Sequence, residues 1–320
     1  MNVLFCTEKW CAASPEYGLT NSFQNLFNTF CQSRSDTYDT LHLDECLVSY
    51  QMDIDSAILG YVASKKIDII IFSLLGDSNF NPIISTYHLL KKRGIKLVFM
   101  WPDTSEWAIK QIKSLEGVAD LSISWDNPRS VGSEGEMIWS ISDRFNPINL
   151  PDNHMMMWVP QDDQLFRPVE QDIPVSFIGS VYSDRASFLD DIKTEIFKAG
   201  GQRANRLTAY EYADLIRRSK ISINFAGSPC QTYTQCKGRV YEILASKSLL
   251  LECKNKSTSE VFVPGVDYIE FSSAQELDTL IEYYLAHEDE RIRIATRGYE
   301  TYQKYNNQKF WDTILDKVAS

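Results

Sequence analysis

Short apolar runs alternate with amphipathic stretches through the first half of the chain. Asn2-Val-Leu-Phe-Cys6 predicts a buried strand. Phe23, Leu26, Phe27 and Phe30 follow at i, i+3, i+4 and i+7, the stripe of a helix. Thr40 to Leu43 predicts a short strand, Ile54 to Ser64 a helix, Ile67 to Phe72 a strand, Ile83 to Lys92 a helix and Ile95 to Met100 another strand. Runs such as Ile67-Asp-Ile-Ile-Ile-Phe72 hold too few polar positions for one face to lie in water. They belong in a parallel sheet covered by helices on both sides. Thr104 to Leu115 continues the pattern as a helix and Ala119 to Ser124 as a strand. Alternation at this spacing is that of a doubly wound α/β sheet.

The plan repeats after a break. Asn146 to Asp163 carries Pro147, Pro151 and Pro160 among Asn and Asp residues, and reads as a connection between domains. Beyond it, Pro174 to Ile178 predicts a strand and Ser183 to Ala199 a helix. Thr208-Ala-Tyr-Glu211 has the capping-box form and opens a helix to about Ser219. Ile221 to Phe225 is a strand, Lys237 to Lys247 a helix and Leu249 to Glu252 a strand. A second capping box, Ser273-Ala-Gln-Glu276, precedes the helical stripe Leu277, Leu280, Ile281, Tyr284 and Leu285. From Asp289 onward the chain reads as helical and ends on an apolar face of Trp311, Ile314, Leu315 and Val318. The expected fold is therefore α/β, with two Rossmann-like doubly wound domains, residues 1–160 and 161–320, facing each other across a cleft. The last helix is a candidate to cross back to the first domain. Ligands of such sheets bind beyond the carboxyl ends of the strands.

A length of 320 residues is enough for two cores, and 44% hydrophobic with 23% charged residues excludes disorder, collagen and coiled coil. The net charge of −11 makes nucleic acid and anionic membrane poor partners. A phosphate ligand would have to be held by a few placed cations. Seven cysteines at scattered spacing, with no CxxC pair, argue against a disulfide framework or a structural zinc site. Glu8 and Lys9 end the first apolar run well short of a signal-peptide core, and no apolar stretch approaches ~18 residues, so a cytoplasmic location without a transmembrane segment is expected. Several enzyme classes fall away as well. The first strand lacks a GxGxxG turn, which disfavours NAD and FAD, and the chain has no GxxxxGK[ST] loop, GxSxG elbow or HExxH pair.

Chemistry concentrates in Tyr233 to Lys247. Lys237 and Arg239 stand at the start of a predicted helix whose free N–H groups already favour an anion, a credible diphosphate site. Glu242, at i+3 from Arg239, suits the vicinal hydroxyls of a ribose, although the same spacing fits an Arg–Glu pair on a solvated helix face. In the first half, Asp103 follows an apolar strand and is a candidate to orient an acceptor hydroxyl or act as base, or else to cap the next helix. Gly18 lies in the polar stretch after the first strand and could admit backbone near a ligand or simply turn the chain into a helix. His154 reads as structural.

These pieces together resemble the GT-B glycosyltransferases, in particular the CgeB-like branch of the group-1 transferases. Asp163-Gln-Leu-Phe-Arg-Pro168 is similar to the interdomain signature, Phe177-Ile-Gly-Ser-Val-Tyr-Ser-Asp-Arg185 to the first strand and glycine turn of the second domain, Lys237-Gly-Arg-Val-Tyr-Glu242 to the donor helix, and Pro264 to Phe271 to the segment after it. The resemblance implies transfer of a hexose from a nucleotide-sugar donor, most naturally a UDP-sugar, to a carbohydrate or other acceptor hydroxyl, with retention and without an obligatory metal or cofactor. It places Glu242 on the ribose, and Lys237 and Arg239 on the diphosphate. Gly179 and Ser180 would bring backbone close to the phosphates, and Arg185 is a further candidate cation. Thr234 stands where many relatives carry a second glutamate facing the transferred sugar. A sugar-nucleotide epimerase or hydrolase of the same fold, or a non-catalytic sugar-nucleotide-binding module, are the alternatives.

Overall fold

The computed structural model describes residues 1–10, 21–73, 81–102, 111–125, 136–137, 148–149, 151–181, 184–200, 207–226 and 236–319. They divide into two compact units. One comprises Met1–Met137, Pro147–Met157 and Gln308–Ser320, the other Ile138–Asn146 and Trp158–Asn307.

The first unit contains β1 (Asn2–Thr7), α1 (Asn21–Ser33), β2 (Thr37–His42), α2 (Leu43–Val48), α3 (Ile54–Ser64), β3 (Ile69–Ser73), α4 (Ile84–Lys92), β4 (Lys96–Trp101), β5 (Leu121–Trp125), the short antiparallel pair β6 (Glu136–Met137) and β7 (Ile148–Asn149), and β8 (His154–Met157). Its main sheet runs β2-β1-β3-β4-β5-β8, with every neighbouring pair parallel. All five residues of β3 are buried, as the near-continuous apolar run requires of a strand covered on both faces. The pleat sends Leu4 and Cys6 into a core with Ile58, Phe72, Leu90 and Phe99. Phe5 points the other way and meets Phe27, Phe30 and Trp311 edge-on, with ring centroids 5.2, 5.4 and 5.9 Å distant. Trp311 comes from the C-terminal helix, Asn307–Ala319, and donates its indole N–H to Thr29 at 3.1 Å.

Strand β8 departs from the sequence expectation. His154–Met157 lies inside the proline-rich stretch that reads as a connection, yet it forms the sixth strand, in register with β5 through Ser122 and His154. His154 earns that place with both ring nitrogens, at 2.9 Å from Ser122 Oγ and 3.0 Å from Ser124 Oγ. Burial pulls its pKa down to about 4, so the ring is neutral.

The second unit contains β9 (Ile173–Ile178), α5 (Asp184–Asp190), β10 (Phe197–Ala199), α6 (Ala209–Arg218), β11 (Ser219–Asn224), α7 (Gly238–Ala245), β12 (Leu249–Cys253), α8 (Lys256–Ser259), β13 (Ile269–Phe271), α9 (Ala274–Ala286) and α10 (Glu288–Tyr302). The parallel sheet runs β10-β9-β11-β12-β13. Here the single helix expected over Ser183 to Ala199 is instead the short α5 followed by the edge strand β10. Helix α6 opens with the reciprocal capping box between Thr208 and Glu211. Its sheet packs Val175, Phe177, Ile221, Ile223, Leu249 and Leu251 against Leu277, Ile281 and Ile294.

In both sheets the strand order reverses once, between β1 and β3 in the first unit and between β9 and β11 in the second. At such a reversal the crossover connections leave towards opposite faces and open a crevice beyond the strands' carboxyl ends. Glu8 follows β1 there, and Gly179 follows β9.

Candidate functional site

The crevice of the second unit is built from chain segments far apart in sequence. Strand β9 ends at Ile178, and Gly179, buried, donates its N–H to Ala199 O at 2.8 Å, with exposed Ser180 next. Across the reversal β11 ends at Asn224. Lys237 is the N-cap residue of α7, extended in backbone and half-buried, with no side-chain capping bond. One residue into that helix, the Arg239 guanidinium lies against the Gly179 backbone. A Cβ at position 179 would sit 2.7 Å from Arg239 Nη1 and 2.9 Å from Nη2, so the glycine is what lets the cation reach the end of β9. Arg185 of α5 donates from Nη2 to Phe225 O at 3.1 Å. Two guanidinium groups thus converge on the ends of the two central strands, beside the start of a helix.

Glu242 stands one turn along α7. Its Oε2 accepts the hydroxyl proton of Tyr212, and that same hydroxyl accepts from Arg239 Nε at 3.1 Å. Tyr212 therefore joins the cation and the carboxylate that the spacing set on one helix face. Burial pushes the Glu242 carboxyl up from its ordinary value, against the pull of Arg239 and Tyr212. Burial also pushes the Tyr212 phenol up, so it stays a donor to Glu242.

Polar groups also close the ends of β11 and β12. Asn224 and Glu252 are register partners, and Asn224 Nδ2 donates to Glu252 Oε2 at 2.8 Å. Asn255, at the N-cap of α8, donates to Oε1 at 3.0 Å. Glu252 is fully buried, which raises its pKa to about 8, while Asn224, Arg239, Asn255 and Arg185 pull the other way.

A second carboxyl group stands at the matching place in the first unit. Buried Asp44 accepts backbone N–H bonds from Lys9 and Trp10, each at 2.9 Å, and so fixes the chain where it leaves β1. Burial, then the Asp44 charge, raises the Glu8 carboxyl to about 7, a value suited to taking a proton at neutral pH.

Residues 162–316 match the model of a family described as glycosyl transferase-like. HepE of Anabaena, solved in complex with UDP-glucose, superposes with a TM-score of 0.64 at 10% identity, covering 100% of this chain and 99% of HepE. A glycosyltransferase from Rickettsia africae gives 0.59 at 10% identity over 100% and 98%. AviGT4, a glycosyltransferase involved in avilamycin A biosynthesis, gives 0.58 at 12% identity over 100% and 97%. The chain has the GT-B fold, and it is in residues 162–316 that it matches the glycosyl transferase-like family model. No curated protein matches it in sequence.

Within this GT-B chain, Gly179, Ser180, Arg185, Lys237, Arg239 and Glu242 all lie in the second unit, and the structure brings Gly179, Arg239 and Glu242 together through one guanidinium and one tyrosine. Gly18, Asp103 and Thr234 lie outside the described residues. Sequence reasoning missed Tyr212, Asn224, Glu252 and Glu8. Glu8 and Glu252 share a readable signal, a carboxylate at the end of an apolar run. Tyr212 has none, because its partners are about thirty positions away. Among the described residues no cluster of His, Cys, Asp and Glu is arranged to hold a metal, and no helix is long and apolar enough to cross a membrane.

Proposed function

We propose that the protein transfers a hexose from a UDP-sugar to an acceptor hydroxyl, with retention at the anomeric carbon. The observation that carries this reading is the Arg239 guanidinium seated on Gly179 at the strand-order reversal, tied through Tyr212 to Glu242. A nucleoside diphosphate matches that arrangement. Its phosphates face Arg239, Arg185, Lys237 and the N–H groups opening α7, and its ribose hydroxyls face the Glu242 carboxylate. As the glycosidic bond breaks, charge grows on the leaving diphosphate, and fixed cations with a helix N-terminus stabilise it. The UDP and UDP-glucose complexes of HepE support the choice of nucleotide. The first unit would hold the acceptor. The motifs around Asp163 and Lys237 favour the CgeB-like branch within the family.

One observation favours a second reading, inverting transfer. Glu8, held near neutrality beside Asp44, has the proton affinity of a general base for the acceptor hydroxyl. A thermal-shift screen of UDP-, GDP-, ADP- and dTDP-sugars, followed by product analysis with an acceptor panel, tests both readings. Stabilisation by a UDP-sugar and a product of unchanged anomeric configuration is the expected result. An inverted product would select Glu8-assisted transfer. Acceptor-free turnover would mark an epimerase or hydrolase, and binding without turnover a sugar-nucleotide-binding module.

A further inference from the structure

Glu252 is a buried carboxyl group for which glycosyl transfer as described has no use. Its place is specific. It lies one residue before the end of β12, its register partner Asn224 ends β11 beside the reversal, and both are almost wholly buried, at 0% and 1% exposure. Each carboxyl oxygen has one carboxamide donor, from Asn224 and Asn255. Asn224 is only half satisfied. Its Nδ2 bonds Glu252, whereas its Oδ1 is buried without a hydrogen-bond partner among the described residues. A buried orphan acceptor is costly, and it is the wrong group to face an anion.

We propose that Glu252 is a positioning residue for the donor's diphosphate, and that the donor binds the form with a neutral carboxyl, drawing a proton from solvent wherever Glu252 is ionised. This rests on the reading of the β9/β11 crevice as the diphosphate site. The mechanism follows from the hydrogen bonds. With Glu252 ionised, Asn224 must offer its N–H₂ group to the carboxylate, which leaves Oδ1 stranded. Once Glu252 carries a proton, the amide can turn over. Oδ1 then accepts the carboxyl O–H, and Nδ2 takes the orphan's place as a donor able to meet an anionic oxygen. The charges act in the same direction. Arg239 and Arg185 are the cations that favour ionised Glu252, and a diphosphate bound to them adds negative charge beside the carboxyl.

The other groups around the carboxyl are Cys253 on β12 itself and Tyr268 just before β13, with Glu270 facing Cys253 and Cys236 facing Tyr268. Burial holds the Cys253 thiol up at about 11 and pushes the Tyr268 phenol higher still, so neither titrates near pH 8. The sign is therefore set by Glu252. Donor affinity is full while its carboxyl is neutral and falls as pH rises through about 8.

The test is calorimetric titration of UDP-glucose into the full chain between pH 7.0 and 8.5, with wild type and Glu252→Gln. The wild-type affinity should fall about fourfold over that range, and binding at pH 8.5 should take up roughly 0.8 proton, read from two buffers of different ionisation enthalpy. Glu252→Gln, permanently neutral, should bind with no pH dependence over that range. Should the variant fail to fold, the wild-type proton count decides by itself. A flat wild-type profile with no proton uptake, or a variant that keeps the wild-type slope, overturns the inference and leaves the diphosphate site standing. Absence of UDP-sugar binding at every pH overturns the donor reading itself.

Discussion

Replacing Gly179 by alanine probes the site with a single methyl group. The backbone at 179 is not in the left-handed region, so alanine meets no conformational penalty there. What it meets is Arg239, with Nη1, Nη2 and Cζ at 2.7, 2.9 and 3.0 Å from the new Cβ. Restoring ordinary van der Waals separation drives the guanidinium back by roughly 0.8 Å or more. Arg239 Nε now bonds Tyr212 at 3.1 Å, so a retreat of that size breaks or bends the link to Glu242 and removes the cation from the end of β9. Loss of one charge-assisted hydrogen bond costs about 1.5–3 kcal/mol, which corresponds to a roughly 10- to 150-fold rise in Kd. Stability should change little, because the displaced group is the far end of a flexible side chain. Titration calorimetry with UDP-glucose gives the affinity and urea unfolding the stability. A variant that binds as tightly as wild type would refute the contact between Arg239 and the diphosphate. One that loses stability and affinity together would show that Gly179 serves packing.

Two predictions concern the scaffold. His154 is held neutral with its pKa down at about 4, against an ordinary value of 6.5, so its contribution is complete above pH 6.5 and is lost as pH falls towards 4. Urea unfolding followed by tryptophan fluorescence should show a loss of roughly 1–2 kcal/mol between pH 7 and 5, a loss that His154→Gln abolishes. Gly298→Ala in α10 would place a Cβ 2.3 Å from Asp267 O and 2.7 Å from Leu244 Cδ2. Because a backbone carbonyl cannot step aside, the expected cost is about 2–3 kcal/mol by chemical denaturation, and a neutral substitution would contradict that packing.

Periodicity made most of the fold legible. Strands such as Ile69–Ser73 and Leu249–Cys253 are buried on both faces, so their apolar runs are continuous, and the capping box at Thr208 marks a helix start by its own chemistry. Elements whose partners are remote were harder to see. His-Met-Met-Met at 154–157 sits between Pro151 and Pro160 and becomes a strand because β5 offers Ser122 and Ser124 to its histidine. Ser183 to Ala199 carries apolar residues at near-helical spacing, yet Phe197–Ala199 joins the edge of the sheet beside β9. The same contrast holds at the site. Lys237, Arg239 and Glu242 lie within six positions and announce themselves. Tyr212, which links two of them, is a tyrosine in an amphipathic helix until the fold brings it to α7.

The proposed function requires the crevice between β9 and β11 to bind a nucleotide sugar through Glu242. The direct measurement is the Kd of UDP-glucose for wild type and for Glu242→Ala. The expected result is saturable binding by the wild type and a loss of about tenfold or more in the variant, since alanine removes the carboxylate proposed to accept from the ribose hydroxyls. Equal affinities for the two proteins, or no binding of any UDP-sugar by the wild type, would contradict it.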